Sequence, residues 1–147
     1  NLVHVPYKGA GQAVIALLGG ETNLMISSPA AIVPHVKSGK ARAIAFFSKE
    51  RNEALPEVPT ALEQGFPDVS DVPEWYGFAA PAGTPPAVIK ILNAGFAAAL
   101  ADPDNQKGIR VLGMTPSPST PEEFEKQIRF DYARWGKVVK AAGLKVD

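Results

Sequence analysis

Three apolar runs separated by two short amphipathic ones constrain this chain more than any other feature. Leu2, Val3 and Val5 mark the first run, Asn23-Leu24-Met25-Ile26-Ser27 the second, and Ala41 to Phe47 the third. Between the first two lie Ala13, Val14, Leu17 and Leu18 at helical spacing, stopped by Gly19-Gly20. Between the second and third, Pro29 opens a segment through about Val36 that ends at Gly39. Short apolar runs bounded by turn residues read as strands covered on both faces. The spacing therefore predicts strands at 2–6, 23–27 and 41–47 with helices at 11–18 and 29–36. Strand, helix, strand, helix, strand with short turns favours a parallel sheet with helices on its faces, an α/β class.

Residues 48–73 break that rhythm. Pro56, Pro59, Pro67 and Pro73 make them a crossing segment with a short helix at about 60–64. Thr60 caps that helix, and Glu63 stands three residues later, as in a capping box. Trp75-Tyr76-Gly77-Phe78-Ala79-Ala80 reads as an isolated strand. A boundary falls here, with 1–72 in one lobe and 73–147 in another.

The second part is helical. Thr84 is placed as the cap of a helix with Pro85 at its first position and Val88, Ile89, Leu92, Phe96 and Leu100 as its buried stripe. Asp102-Pro103 repeats the device for a helix to about Leu112, and Met114-Thr115 follows as a short extended piece. Thr120-Pro121-Glu122-Glu123 starts a long helix to about Ala142, with Phe124, Ile128, Tyr132, Trp135, Val139 and Ala142 as its buried face. These helices need a sheet to lie on, and this stretch supplies little of one. That shortage, and a start at Asn1 on the edge of a strand without methionine, point to a fragment lacking an N-terminal portion.

Charge narrows the function classes. Fifteen basic residues balance fifteen acidic ones and no Lys/Arg block stands out, so no nucleic-acid footprint is expected. No apolar run has membrane-spanning length and no signal peptide is visible. Cysteine is absent, which removes disulfides and thiolate metal sites. His4 and His35 have no metal-like spacing, so no metal site and no catalytic histidine is expected, and no cofactor is expected either.

The candidate chemistry gathers at His4-Val5-Pro6-Tyr7-Lys8-Gly9-Ala10-Gly11. A glycine turn feeding a helix start leaves backbone N–H groups uncovered beside the positive end of the helix dipole, which suits a carboxylate or phosphate. Gly9 and Gly11 match two glycines of a dinucleotide fingerprint, but Val14 holds the third place and no acid follows the next strand. The glycines could also serve only a tight turn. Lys8 either pairs with an anion or is simply solvated. Ser27 and Ser28 end the second strand at a helix start, where a hydroxyl caps the helix or donates to a ligand. Trp75 and Tyr76 read as core packing or as a pocket wall at the lobe crossing. No serine sits in a nucleophile elbow, and no base–nucleophile pair appears.

The ordered set Val5-Pro6-Tyr7-Lys8-Gly9, Leu17-Leu18-Gly19-Gly20, Pro34-His35-Val36-Lys37-Ser38-Gly39-Lys40-Ala41-Arg42-Ala43, Leu55-Pro56-Glu57-Val58-Pro59-Thr60, Gly77-Phe78-Ala79-Ala80-Pro81-Ala82-Gly83-Thr84-Pro85 and Trp135-Gly136-Lys137-Val138-Val139 spans the chain. It resembles the C-terminal half of a Bug-type solute-binding protein, the extracytoplasmic receptor of tripartite tricarboxylate transporters. The resemblance implies a two-lobed fold like that of type II periplasmic binding proteins. Residues 1–72 would then be most of the second, ligand-binding lobe, and 73–147 would complete the first. It implies a periplasmic binding protein, not an enzyme, that closes around a small carboxylate-type ligand and serves membrane transporter subunits. By position, Tyr7, Lys8, Gly9, Ala10 and Gly11 inherit the ligand loop. Ser27 and Ser28 stand where relatives often carry Asp or Asn. The alternative is a nucleotide-dependent α/β enzyme or a ligand-sensing regulatory domain. An interaction module that dimerises through an uncovered half-sheet is a third reading.

Overall fold

The computed structural model describes residues 2–69, 72 and 74–143. It holds five helices among them: α1 (Ala10–Leu18), α2 (Pro29–Lys37), α3 (Pro86–Ala101), α4 (Pro103–Val111) and α5 (Pro121–Ala141). A short 3₁₀ turn spans Pro67–Val69. The chain divides into two compact units. The first joins 1–78 to 103–116, and the second joins 79–102 to 117–147. The crossing placed between residues 72 and 73 adjoins residues 70, 71 and 73, which lie outside the described residues.

All five helices start and stop close to where their sequence signals lie. The expected strands at 2–6, 23–27, 41–47 and 75–80 do not form: among the described residues the one β pairing is a parallel bridge between Phe46 and Thr60. There Phe46 N–H donates to the Pro59 carbonyl at 3.0 Å and Ala61 N–H to the Phe46 carbonyl at 2.8 Å. A strand exists only through a neighbour's backbone, and these segments do not serve as neighbours for one another. Leu2, Val3, Ile26, Tyr76 and Phe78 are exposed as a result.

In the first unit, Val33 of α2 is fully buried against Leu55 and Val58, with Val36, Ala43, Phe46 and Ala54 around them. α1 buries Val14 and Ala16 and packs on α2. The 60–64 helix is a run of turns. Its capping box is nevertheless intact: Glu63 N–H donates to Thr60 Oγ1 at 3.2 Å, and Thr60 N–H to Glu63 Oε2 at 2.7 Å. Arg51 holds the same carboxylate at 2.9 Å and donates to the Pro56 carbonyl.

Residues 103–116 group with this unit. Arg110 of α4 pairs with Glu53 at 2.8 Å. Asn52 Nδ2 donates to the carbonyl of Gly113, just beyond α4, also at 2.8 Å. Gly113 has φ +75°, a conformation that L side chains rarely adopt, and an added Cβ would lie 3.1 Å from Pro29 and Val33 of α2. Glycine is what lets the end of α4 close onto α2.

In the second unit, Thr84 does not cap α3. Its hydroxyl donates to the Pro81 carbonyl at 2.8 Å, and Pro85 takes the cap position. The Thr120/Glu123 capping box of α5 forms as expected. Its buried face differs from the expected one. Tyr132 is 83% exposed and Ile128 and Val139 are also exposed, whereas Asp131 is 6% exposed. Gln127 Nε2 donates to Asp131 Oδ2 at 2.8 Å. The expected stripes of α3 and α5 stay largely open because the described part of this unit holds no sheet to receive them.

Candidate functional site

Tyr7 to Gly11 form a corner in front of and within the first turn of α1. Tyr7 is half-buried; Lys8, Gly9, Ala10 and Gly11 are exposed. Gly9 occupies the N-cap position at φ 140° and ψ 166°, a region that essentially only glycine visits. Glycine brings no side chain to cap α1, and the first turn carries no acidic residue. The opening N–H groups of a helix lack intrahelical partners, so this end offers donors and partial positive charge to an anion. A Cβ added at Gly11, in the first turn, would meet nothing within 4 Å.

Ser27 and Ser28 form a second corner, half-buried, at the start of α2. Ser28 sits at the N-cap position with φ −65° and ψ 147°, yet its side chain makes no capping hydrogen bond. Ser27 Oγ donates to the Ser28 carbonyl at 3.3 Å. The first turn of α2 likewise contains no acid. Packing of α1 on α2 brings the two helices together, and no hydrogen bond among the described residues joins the two corners.

Trp75 and Tyr76 are exposed, and Tyr76 Oη donates to Glu74 at 3.1 Å. Neither residue is core packing within the first unit. No group of His, Asp or Glu among the described residues is arranged to hold a metal ion. No described helix is long and apolar enough to cross a membrane.

The two lowered carboxylates serve structure. The Glu63 carboxyl is held below its ordinary value chiefly by the hydrogen bond from the Thr60 backbone N–H. The Thr120 backbone N–H does the same for Glu123. Both are capping-box acids.

A further concave feature lies beside α4. A shallow groove of about 470 Å³, largely open to solvent, lies in the first unit and is lined by Lys37, Glu53, Ala54 and one face of α4. Its sequence signal is the spacing of Pro103, Gln106, Lys107, Arg110 and Val111 at three- and four-residue steps.

Comparison with known proteins sets this geometry in a family. Residues 1–144 match the family model described as the tripartite tricarboxylate transporter family receptor. The chain is 37% identical over 142 residues to protein BugT of Bordetella pertussis, covering 97% of this chain and 43% of that protein. Among solved structures, a periplasmic transporter superposes with TM-score 0.93 at 40% identity, covering all of this chain and 49% of the other. The periplasmic binding protein BugD gives 0.90 at 33% identity over 99% of this chain and 49% of its own. MatC of Rhodopseudomonas palustris, solved with bound malate, gives 0.84 at 34% identity over 92% and 47%. The chain thus spans about half the length of each of these relatives. It shares their α/β, two-lobed periplasmic-binding-protein fold over that half. This chain belongs to the Bug-type receptor family of the tripartite tricarboxylate transporters.

Proposed function

We propose that this chain supplies part of a periplasmic receptor that captures a small carboxylate ligand and delivers it to transporter subunits in the membrane. The observation that carries the reading is the start of α1 at Gly9: an exposed helix end with no capping side chain and no acid in its first turn. The malate held by MatC, a relative of the same fold, supports a carboxylate as the occupant. Tyr7, Lys8, Gly9, Ala10 and Gly11 form the ligand loop on this reading, and Ser27 and Ser28 supply hydroxyl donors in place of a carboxylate or amide.

The mechanism is binding. Backbone N–H groups and hydroxyls replace the water around a carboxylate, and the helix end stabilises its charge. We place the lobe crossing near residues 72 and 73. Closure of the lobes then adds contacts that exist only with ligand bound, and a membrane partner recognises that state.

The test is thermal unfolding of the purified protein with malate, succinate, citrate, benzoate, aspartate and nicotinamide. A carboxylate at a hundred times its Kd stabilises the protein by about 2.7 kcal/mol. Gly11→Asp places a negative charge in open space at the helix end and abolishes that stabilisation without unfolding the protein. A protein shown by native mass spectrometry to be empty, and unmoved by every carboxylate, overturns the reading.

A further inference from the structure

The groove beside α4 is a local segregation of charge. Lys37, Lys107 and Arg110 line it with a single carboxylate, Glu53, in a chain whose fifteen basic and fifteen acidic residues balance; Asp104, three residues before Lys107 on the same helix, lies outside the lining. Arg110 already holds Glu53 at 2.8 Å. Lys37 reaches only the Val111 carbonyl, at 3.5 Å. Cations in a last helical turn are accounted for by the negative end of the helix dipole, which covers Lys37 in α2 and Arg110 in α4. Lys107 lies in the middle of α4, where that explanation does not apply.

The three cations are all exposed, so the groove does not strip water from a bound ion. A lone small anion gains little there. A polypeptide bearing several carboxylates gains from each contact once the first is made. The lining face runs from Pro103 to Val111, nine residues and roughly 12 Å along α4, a length that matches a short segment of chain. Ala54, Pro103 and Val111 add apolar wall between the charges.

We propose that this groove docks an acidic segment of a partner protein, with Asp or Glu side chains set against Lys37 and Lys107. Lys37 stands at the opposite end of the nine-residue α2 from Ser28, roughly 13 Å along the helix. The proposal stands independently of what the α1 corner binds.

The test is fluorescence anisotropy of a fluorescein-labelled hexaglutamate peptide titrated with the purified protein at low ionic strength. Binding is expected, and the double reversal Lys37→Glu with Lys107→Glu weakens it about tenfold or more. Added salt weakens it as well, because the contacts are exposed. Lys140→Glu, at the end of α5, leaves the affinity unchanged. Circular dichroism checks the fold of each variant. Should the double reversal unfold the protein, Lys37→Gln with Lys107→Gln serves instead, with a loss of a few-fold expected. Unchanged peptide affinity in the folded variants overturns the proposal. So does displacement of the peptide by citrate as effectively as by unlabelled hexaglutamate, which would make the groove a small-anion site.

Discussion

The side-chain amide of Asn52 donates to the carbonyl of Gly113 at 2.8 Å, across 61 residues of sequence. The same side chain accepts from the Ala54 N–H through Oδ1 at 2.9 Å. One residue therefore shapes the 52–55 turn and fastens the end of α4 to it. A Cβ added at Gly113 would lie 3.1 Å from Asn52 Oδ1, Pro29 and Val33, so these packed neighbours would have to give way by a few tenths of an ångström. Gly113→Ala should cost about 2–3 kcal/mol, combining a left-handed backbone with overpacking. Asn52→Ala should cost about 1–2 kcal/mol through the lost hydrogen bonds. The two losses should fall short of additive in the double variant because they share a contact. Urea unfolding checks this, and a wild-type midpoint for Gly113→Ala would refute the packing argument.

The capping boxes make stability depend on acid. The lowered carboxyls of Glu63 and Glu123 contribute stability that is fully present above the ordinary carboxylate range. It is lost as pH falls through their depressed folded-state values. Denaturant melts at a series of pH values from neutral to 3 should show this decline, and Glu63→Gln with Glu123→Gln should flatten it. Thr120→Ala removes one half of the α5 box and should cost about 1 kcal/mol at neutral pH. A decline just as steep in the double Gln variant would assign the acid sensitivity elsewhere.

Ser28 separates a ligand role from a capping role. Its side chain makes no capping bond to α2, so Ser28→Ala should change stability by less than about 0.5 kcal/mol. A hydroxyl donating to a ligand carboxylate is worth about 1.5–3 kcal/mol, so ligand affinity should fall by about ten- to a hundredfold. Calorimetric titration of wild type and variant with the carboxylate found by thermal shift reads both effects. A destabilised variant with unchanged affinity would make Ser28 structural.

Leu2 is 84% exposed and Val3 is 88% exposed, and Ile26 and Phe78 are also bare. Exposed apolar side chains that gather into a contiguous patch mark an association surface. The 147-residue chain studied by itself should therefore associate as its concentration rises. Size-exclusion chromatography coupled to light scattering checks this, and a strict monomer at every concentration would count against it.

The helices were legible because their signals are local. Pro29, Pro103 and Pro121 open their helices where the sequence places them, and the Thr120/Glu123 box forms as its spacing requires. The Tyr7 to Gly11 corner was legible for the same reason: a glycine turn followed by helical spacing needs no distant partner. The strands were not. Apolar runs at 2–6 and 23–27 carry the composition of strands, but a strand is made by another segment's backbone.

The sequence by itself determined where helices begin and end, the capping acids, the glycine corner at α1 and the family resemblance. Tertiary structure alone decided what those elements meet. It turned Asp131 rather than Tyr132 inward on α5, because the buried face of a helix is set by its neighbours and not by its own periodicity. It also joined α4 to the first unit through Arg110–Glu53 and Asn52–Gly113, and so made the basic groove. Those pairs lie 57 and 61 residues apart, and no local spacing specifies which distant side chain will be close enough to bond.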